Sequence, residues 1–195
     1  MAILQFTHAS ILNSNAQLLV LPVNNAGVVL DPVLTRAKTL FPDNYSRYHR
    51  ACRDGSLNVG SCLLNKRTRE QVGLGISSNG NQPNYIANLV ISNHPYHPAR
   101  TRWLTAALID LQQQIIPLIR YQGIRRVALL ARPLISGKPR DIVSNESTIV
   151  DTLPLDWHAN TLPLLTEYLQ DLPKLRIDIH LPKSIDLWCN VQNSC

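Results

Sequence analysis

No stretch of this chain approaches the roughly 20 consecutive apolar residues that a membrane-spanning helix needs. No membrane association is therefore expected. Charged residues are scarce, at 16% of 195, while hydrophobic residues reach 45%. A disordered chain would show the opposite balance. The opening residues, Met-Ala-Ile-Leu-Gln-Phe, carry neither a basic segment nor a long apolar run. They read as a first strand and not as a signal peptide, so a cytoplasmic location is the default expectation. Cysteines number four, and none forms a Cys-x-x-Cys pair or has a His at a zinc spacing. Cys52 and Cys62 fall among apolar residues and read as buried thiols. Repeats and low-complexity segments are also missing.

What is present fits one domain, residues 1–195, long enough to bury a substantial core. The net charge of +6 suits an anionic partner such as a nucleotide or nucleic acid, although the basic residues form no dense run. Arg47, Arg50 and Arg53 share one helical face, which a solvated surface explains as well as a nucleic-acid patch does.

Residues 17–23 are continuously apolar, as in a strand buried on both faces. Strands are further expected at 3–8, 61–64, 71–76, 85–91, 125–131 and 175–181. Helices are expected from Asp31-Pro32, where Asp caps and Pro takes the first helical position, from Pro42 to near Gly55, at 101–120 and at 159–170. Pro117 should kink or end the third of these. The alternation implies a mixed sheet with helices on both faces, a three-layer α/β/α fold. Ligands of such sheets sit beyond the carboxyl ends of the strands. The loops after 23, 91 and 131 are accordingly the candidate site, and residues 137–157 read as a lid or a surface excursion.

Val20-Leu21-Pro22-Val23-Asn24-Asn25-Ala26-Gly27-Val28 resembles the macrodomain pattern, in which a buried strand runs into a loop bearing an Asn and a Gly. The match is nearest to the bacterial antitoxin branch that removes ADP-ribose from DNA (DarG-like). Leu40-Phe41-Pro42-Asp43-Asn44-Tyr45, Tyr48, Ala51-Cys52, Gly55 and Gly60 continue it without a gap across residues 18–64. Weaker matches keep their order at Ile86-Ala87-Asn88-Leu89, at residues 103–116, at Ile124-Arg125-Arg126-Val127-Ala128 and at Arg176-Ile177-Asp178-Ile179. The resemblance implies a macrodomain fold that recognises ADP-ribose or a related nucleotide, with modified DNA or protein as partner and with no cofactor or metal.

The departures lie in the loops. Where the family has Gly-Asp-Leu, with its Asp on the adenine, this chain has Ala9-Ser10-Ile11. Ser10 can hydrogen-bond but cannot supply a charge-assisted bond. The first phosphate loop, normally glycine-rich, is Leu30-Asp31-Pro32, and a carboxylate there would repel a phosphate unless displaced. The second phosphate loop is Pro133-Leu134-Ile135-Ser136-Gly137-Lys138, flanked by Arg132. A Lys of the DNA-directed branch is replaced by Ser92, within Ile91-Ser92-Asn93-His94.

The resemblance therefore implies Asn24 as the catalytic residue. It implies a ligand surface of Ser10, Asn25, Ala26, Gly27, Val28, Ser92, Asn93, His94, Arg132, Ser136, Gly137 and Lys138. An Asn amide can orient a water or a ribose hydroxyl but cannot exchange a proton near neutral pH. His94 or His97 could serve as acid or base, or the His94–Pro98 segment could simply be a rigid polar loop. Asn24 could equally only close a turn. Gly27 serves as a positive-φ residue, a point of close approach, or both. Two functions stay open at this level: an ADP-ribosyl glycohydrolase of a toxin–antitoxin kind, and a catalytically inactive macro-fold module acting as nucleotide sensor or protein-partner (immunity) factor. Arg132, Lys138 and Arg140 could also bind a phosphate in a different nucleotide role. Trp157-His158 and Trp188-Cys189 have no family counterpart and suit base stacking, core packing or self-association.

Overall fold

A computed structural model describes residues 1–67, 83–135 and 155–185. Six strands form one sheet in the order β1-β6-β5-β2-β4-β3. They are β1 (Ile3–Thr7), β2 (Leu18–Asn24), β3 (Cys62–Lys66), β4 (Tyr85–Ser92), β5 (Arg126–Leu130) and β6 (Arg176–His180). All pairings are parallel except that of β3 with β4. The helices are α1 (Pro32–Leu40), α2 (Pro42–Arg53), α3 (Thr101–Tyr121) and α4 (Leu162–Gln170). This is the expected mixed sheet between two helical layers. The strand expected at 71–76 lies outside the described residues.

The apolar runs explain the layers. Every residue of β2 and of β4 is buried. Alternate side chains of β2 serve opposite cores: Leu18 and Val20 pack with α3 and α4, whereas Leu19, Leu21 and Val23 pack with α1 and α2. Each fully buried Leu or Val contributes about 2 kcal/mol of hydrophobic stabilisation. That double burial is why the sequence runs apolar without alternation.

Two local features go beyond what the sequence decided. α3 continues through Pro117 to Tyr121. Pro117 is exposed, between the buried Ile115 and Ile119. The carbonyl one turn earlier, which loses its helical donor, thus faces water, and burial on the opposite face holds the helix together. Before α4, residues Trp157–Thr161 form a single π turn capped by Asp156, which accepts from the Ala159 amide at 2.7 Å. Trp157 is buried in the α3/α4 core, so its ring packs and does not stack on a base. Trp188 and Cys189 lie outside the described residues.

The parallel strands β1, β2, β4, β5 and β6 end on one edge of the sheet. β2 and β5 are neighbours in the sheet, paired through Leu18–Val20 and Val127–Leu129. The chain leaves β2 toward the α1/α2 layer and leaves β5 toward the α3/α4 layer. Adjacent strands whose connections depart to opposite faces open a crevice, the usual ligand position in open α/β sheets.

Candidate functional site at the carboxyl ends of the strands

The carboxyl edge of the sheet gathers most of the candidate residues. Asn24 is the last residue of β2 and pairs with Ser92, the last of β4, after a bulge that skips Ile91. The Asn25 amide donates to the Ser92 carbonyl at 3.0 Å. Ser10, after β1, and Arg132, after β5, stand on the same edge. Ser136, Gly137 and Lys138 lie outside the described residues, as does Arg140 and most of the 137–157 stretch.

Asn24 is buried, and its carboxamide is turned onto its own loop. Oδ1 accepts from the Ala26 amide at 3.0 Å and from the Val28 amide at 3.4 Å, while Nδ2 donates to the Val28 carbonyl at 2.6 Å. One side chain thus closes residues 24–28 into a compact turn. Gly27 completes it with φ +74°, a conformation glycine adopts without a steric penalty. Ala26 and Val28 remain exposed at the rim, and Asn25 is half-buried.

Helix α2 straps this loop from behind, a contribution that sequence reading missed. The Tyr48 hydroxyl donates to the Asn24 carbonyl at 2.6 Å and lies 3.3 Å from its Oδ1. The Tyr45 hydroxyl donates to the Gly27 carbonyl at 3.2 Å, and the Cys52 thiol approaches the Asn24 carbonyl at 3.9 Å. The spacing 45, 48, 52 is the signal that could have found them, since it places three donors on one helical face. Burial raises the pKa of both the Tyr48 phenol and the Cys52 thiol, so both groups stay protonated donors at neutral pH.

Next to Ser92, Asn93 is exposed and His94 half-buried. His94 Nδ1 accepts from the Tyr96 amide at 3.4 Å, so a neutral ring carries its proton on Nε2. Its ring also packs at 5.3 Å from Tyr96 and 5.4 Å from His97. Among the described residues no group of three His, Cys, Asp or Glu could hold a metal.

Ser10 is exposed and opens the short 3-10 turn Ile11–Asn13 without a side-chain cap bond. The loop before it is held by His180, whose Nδ1 lies 2.9 Å from the Ala9 carbonyl. That bond places the proton on Nδ1 and leaves Nε2 a buried acceptor that has no hydrogen-bond partner among the described residues. Burial depresses the His180 pKa, with the Ala9 bond and Asp178 acting the other way.

The Asp31 carboxylate, expected to repel a phosphate, is tied up within the chain itself. Oδ1 caps α1 by accepting from Val33 at 2.8 Å and Leu34 at 3.3 Å, and Oδ2 pairs with Arg132 Nε at 2.8 Å. Arg132 in turn stands on an anchored turn, because Leu134 is buried and its carbonyl accepts from the buried Thr161 hydroxyl at 3.1 Å. The pair joins the loop after β2 to the loop after β5.

Elsewhere, Arg47 donates to Asn65 at 3.1 Å, and Arg47, Arg50 and Arg53 are all exposed, a solvated face. Cys62 is buried, with its thiol pushed up to about 12 by burial and by Asp110, and Cys52 and Cys62 are both free thiols. No helix among the described residues is long and apolar enough to cross a membrane.

No protein-family model matches the chain. It is 30% identical over 134 residues, 69% of its length, to a DNA ADP-ribosyl glycohydrolase of Thermus aquaticus, and spans about a third (33%) of that relative. Among solved structures, the macrodomain of Thermus aquaticus DarG superposes with a TM-score of 0.69 at 25% identity, covering 93% of this chain and 100% of that one. Thermosipho africanus DarTG in complex with ADP-ribose gives a TM-score of 0.67 at 21% identity, covering 95% of this chain and 43% of that one. With the sheet order, the strapped loop after β2 and these likenesses in hand, the chain is a divergent macrodomain that resembles the DNA ADP-ribosyl glycohydrolase (DarG) branch.

Proposed function

We propose that this macrodomain binds ADP-ribose in the crevice between the loops after β2 and β5 and removes it from modified DNA. The observation that carries the reading is the 30% identity to a DNA ADP-ribosyl glycohydrolase over 134 residues, 69% of this chain. A cytoplasmic location and action of residues 1–195 as one unit belong to the same proposal.

Release of ADP-ribose breaks an N-glycosidic bond through a cation-like sugar, with water adding to the anomeric carbon. Asn24 contributes by shaping the loop and by presenting a fixed amide dipole at the strand end; it does not move protons. Ser92, paired with it, and His94, with its proton on Nε2, are the neighbouring groups able to donate a hydrogen bond to a sugar hydroxyl or to the departing base. Ser10, on the His180-anchored loop, would contact the adenine, as the resemblance implies.

The test is incubation with ADP-ribosylated single-stranded DNA, reading free ADP-ribose. Wild type should release it, and Asn24→Ala should lose at least 100-fold in rate, about 2.7 kcal/mol in the barrier. Tight ADP-ribose binding with no release from DNA or protein substrates would instead establish a binding module. The commitment of the Asn24 amide to its own loop is the one observation that favours that second reading.

A further inference from the structure

The ion pair between Asp31 and Arg132 joins the loops after β2 and β5, where the chain leaves the two strands for opposite faces of the sheet. Its two ends differ in character. Asp31 is mostly buried, at 17% side-chain exposure, and is fixed by two backbone amides of α1. Arg132 is half exposed, at 51%, and meets Asp31 through Nε, and its guanidinium has four further N–H donors. The amides at the start of α1 would otherwise favour an anion from outside. Here the chain supplies its own anion, together with a countercharge that can also reach solvent.

We propose that Asp31 is a specificity-determining residue that sets how strongly this site holds a diphosphate, with Arg132 as the cation that the carboxylate and the ligand share. This rests on the ADP-ribose reading above. A diphosphate entering the crevice meets a fixed negative charge at the loop after β2 and must draw on a guanidinium already engaged by that charge. The carboxylate therefore lowers diphosphate affinity without touching the base or the riboses. Arg132 is the handle, because it is the exposed member and its turn is anchored by Leu134 and Thr161.

The charge signs give a distinctive pattern. Asp31→Asn keeps an oxygen able to accept from Val33, so α1 stays capped, but it removes the repulsion and frees Arg132. By calorimetry it should bind ADP-ribose about tenfold more tightly than wild type, with a steeper loss of affinity on adding salt. Arg132→Gln, on an exposed side chain, should bind ADP-ribose about tenfold more weakly. Adenosine, which carries no phosphate, should bind both variants as it binds wild type. A purely structural role for the pair predicts that both variants weaken both ligands. Equal or weaker ADP-ribose binding by Asp31→Asn, beside measurable binding by wild type, overturns the proposal and leaves the ADP-ribose reading intact. Failure of wild type and of both variants to bind ADP-ribose overturns that reading and this one with it.

Discussion

Gly27 has no side chain because α2 leaves no room for one. A Cβ at this position would meet the His49 ring at 3.2 Å and the Cys52 Cβ at 3.3 Å, on a backbone with φ +74°. The left-handed backbone and the crowding oppose any other residue together. Gly27→Ala is expected to cost about 2 kcal/mol, read as a lowered urea midpoint with unchanged slope. Weakened ADP-ribose binding should accompany it, because the 24–28 loop would shift. An unchanged midpoint would mean that α2 yields freely and that the loop is not strapped. The sequence displayed Asn24 and Gly27 plainly. What it could not display is that the Asn24 amide folds back on Val28, because that depends on a bulge opposite Ser92 and on a Tyr48 hydroxyl 24 residues away.

At the scale of elements, β3 shows how the helical layer protects an edge. β3 is antiparallel and, among the described strands, outermost. At its first residue, the Cys62 amide donates to Asp110 Oδ2 at 2.7 Å, and the Cys62 carbonyl accepts from Gln114 Nε2 at 2.7 Å. Gln114 also donates to Asp110 Oδ1 at 2.8 Å, so two residues one turn apart on α3 form a clamp. This covers an end of the edge that could otherwise pair with another chain. Asp110→Ala should cost about 1–3 kcal/mol by leaving the amide unpaired. Thermal unfolding and faster hydrogen exchange at Cys62 would report it, and Asp110→Asn should recover part of the loss. Native-like exchange in Asp110→Ala would show that the clamp is dispensable. Helix identity was legible from periodicity in 101–120; that Pro117 does not end the helix was decided by its place on the solvent side of α3, where the chain continues to Tyr121.

For the whole molecule, His180 ties β6, β5 and β1 together at the carboxyl edge of the sheet. Its carbonyl accepts from Ala131 at 3.1 Å, its ring meets the Ala9 carbonyl, and Leu181 donates to Thr7 at 2.8 Å. Burial lowers its pKa below the ordinary 6.5, so the unfolded chain binds the proton more readily than the folded one. Its contribution to stability is complete above pH 6.5 and is lost as pH falls from there through the folded value. Wild type should therefore lose stability between pH 7 and 5 more steeply than His180→Gln, in matched urea titrations. Equal slopes would remove His180 as the cause.

The sequence by itself determined the layers and the scaffold. Continuous apolar strands can be buried only between two helical faces, and the ordered matches over residues 18–64 placed the family resemblance on the right elements. It also named the residues at the strand ends, because parallel strands deliver their final residues to one edge. Tertiary structure alone decided what those residues do to one another. An Asn at a strand end can meet a ligand or its own loop, and an Asp before a helix can repel a phosphate or be neutralised. Each choice was made by a residue far away in the chain, Tyr48 for Asn24 and Arg132 for Asp31. Local pattern carries no information about a partner 24 or 101 positions distant, whereas packing two loops over one crevice fixes it.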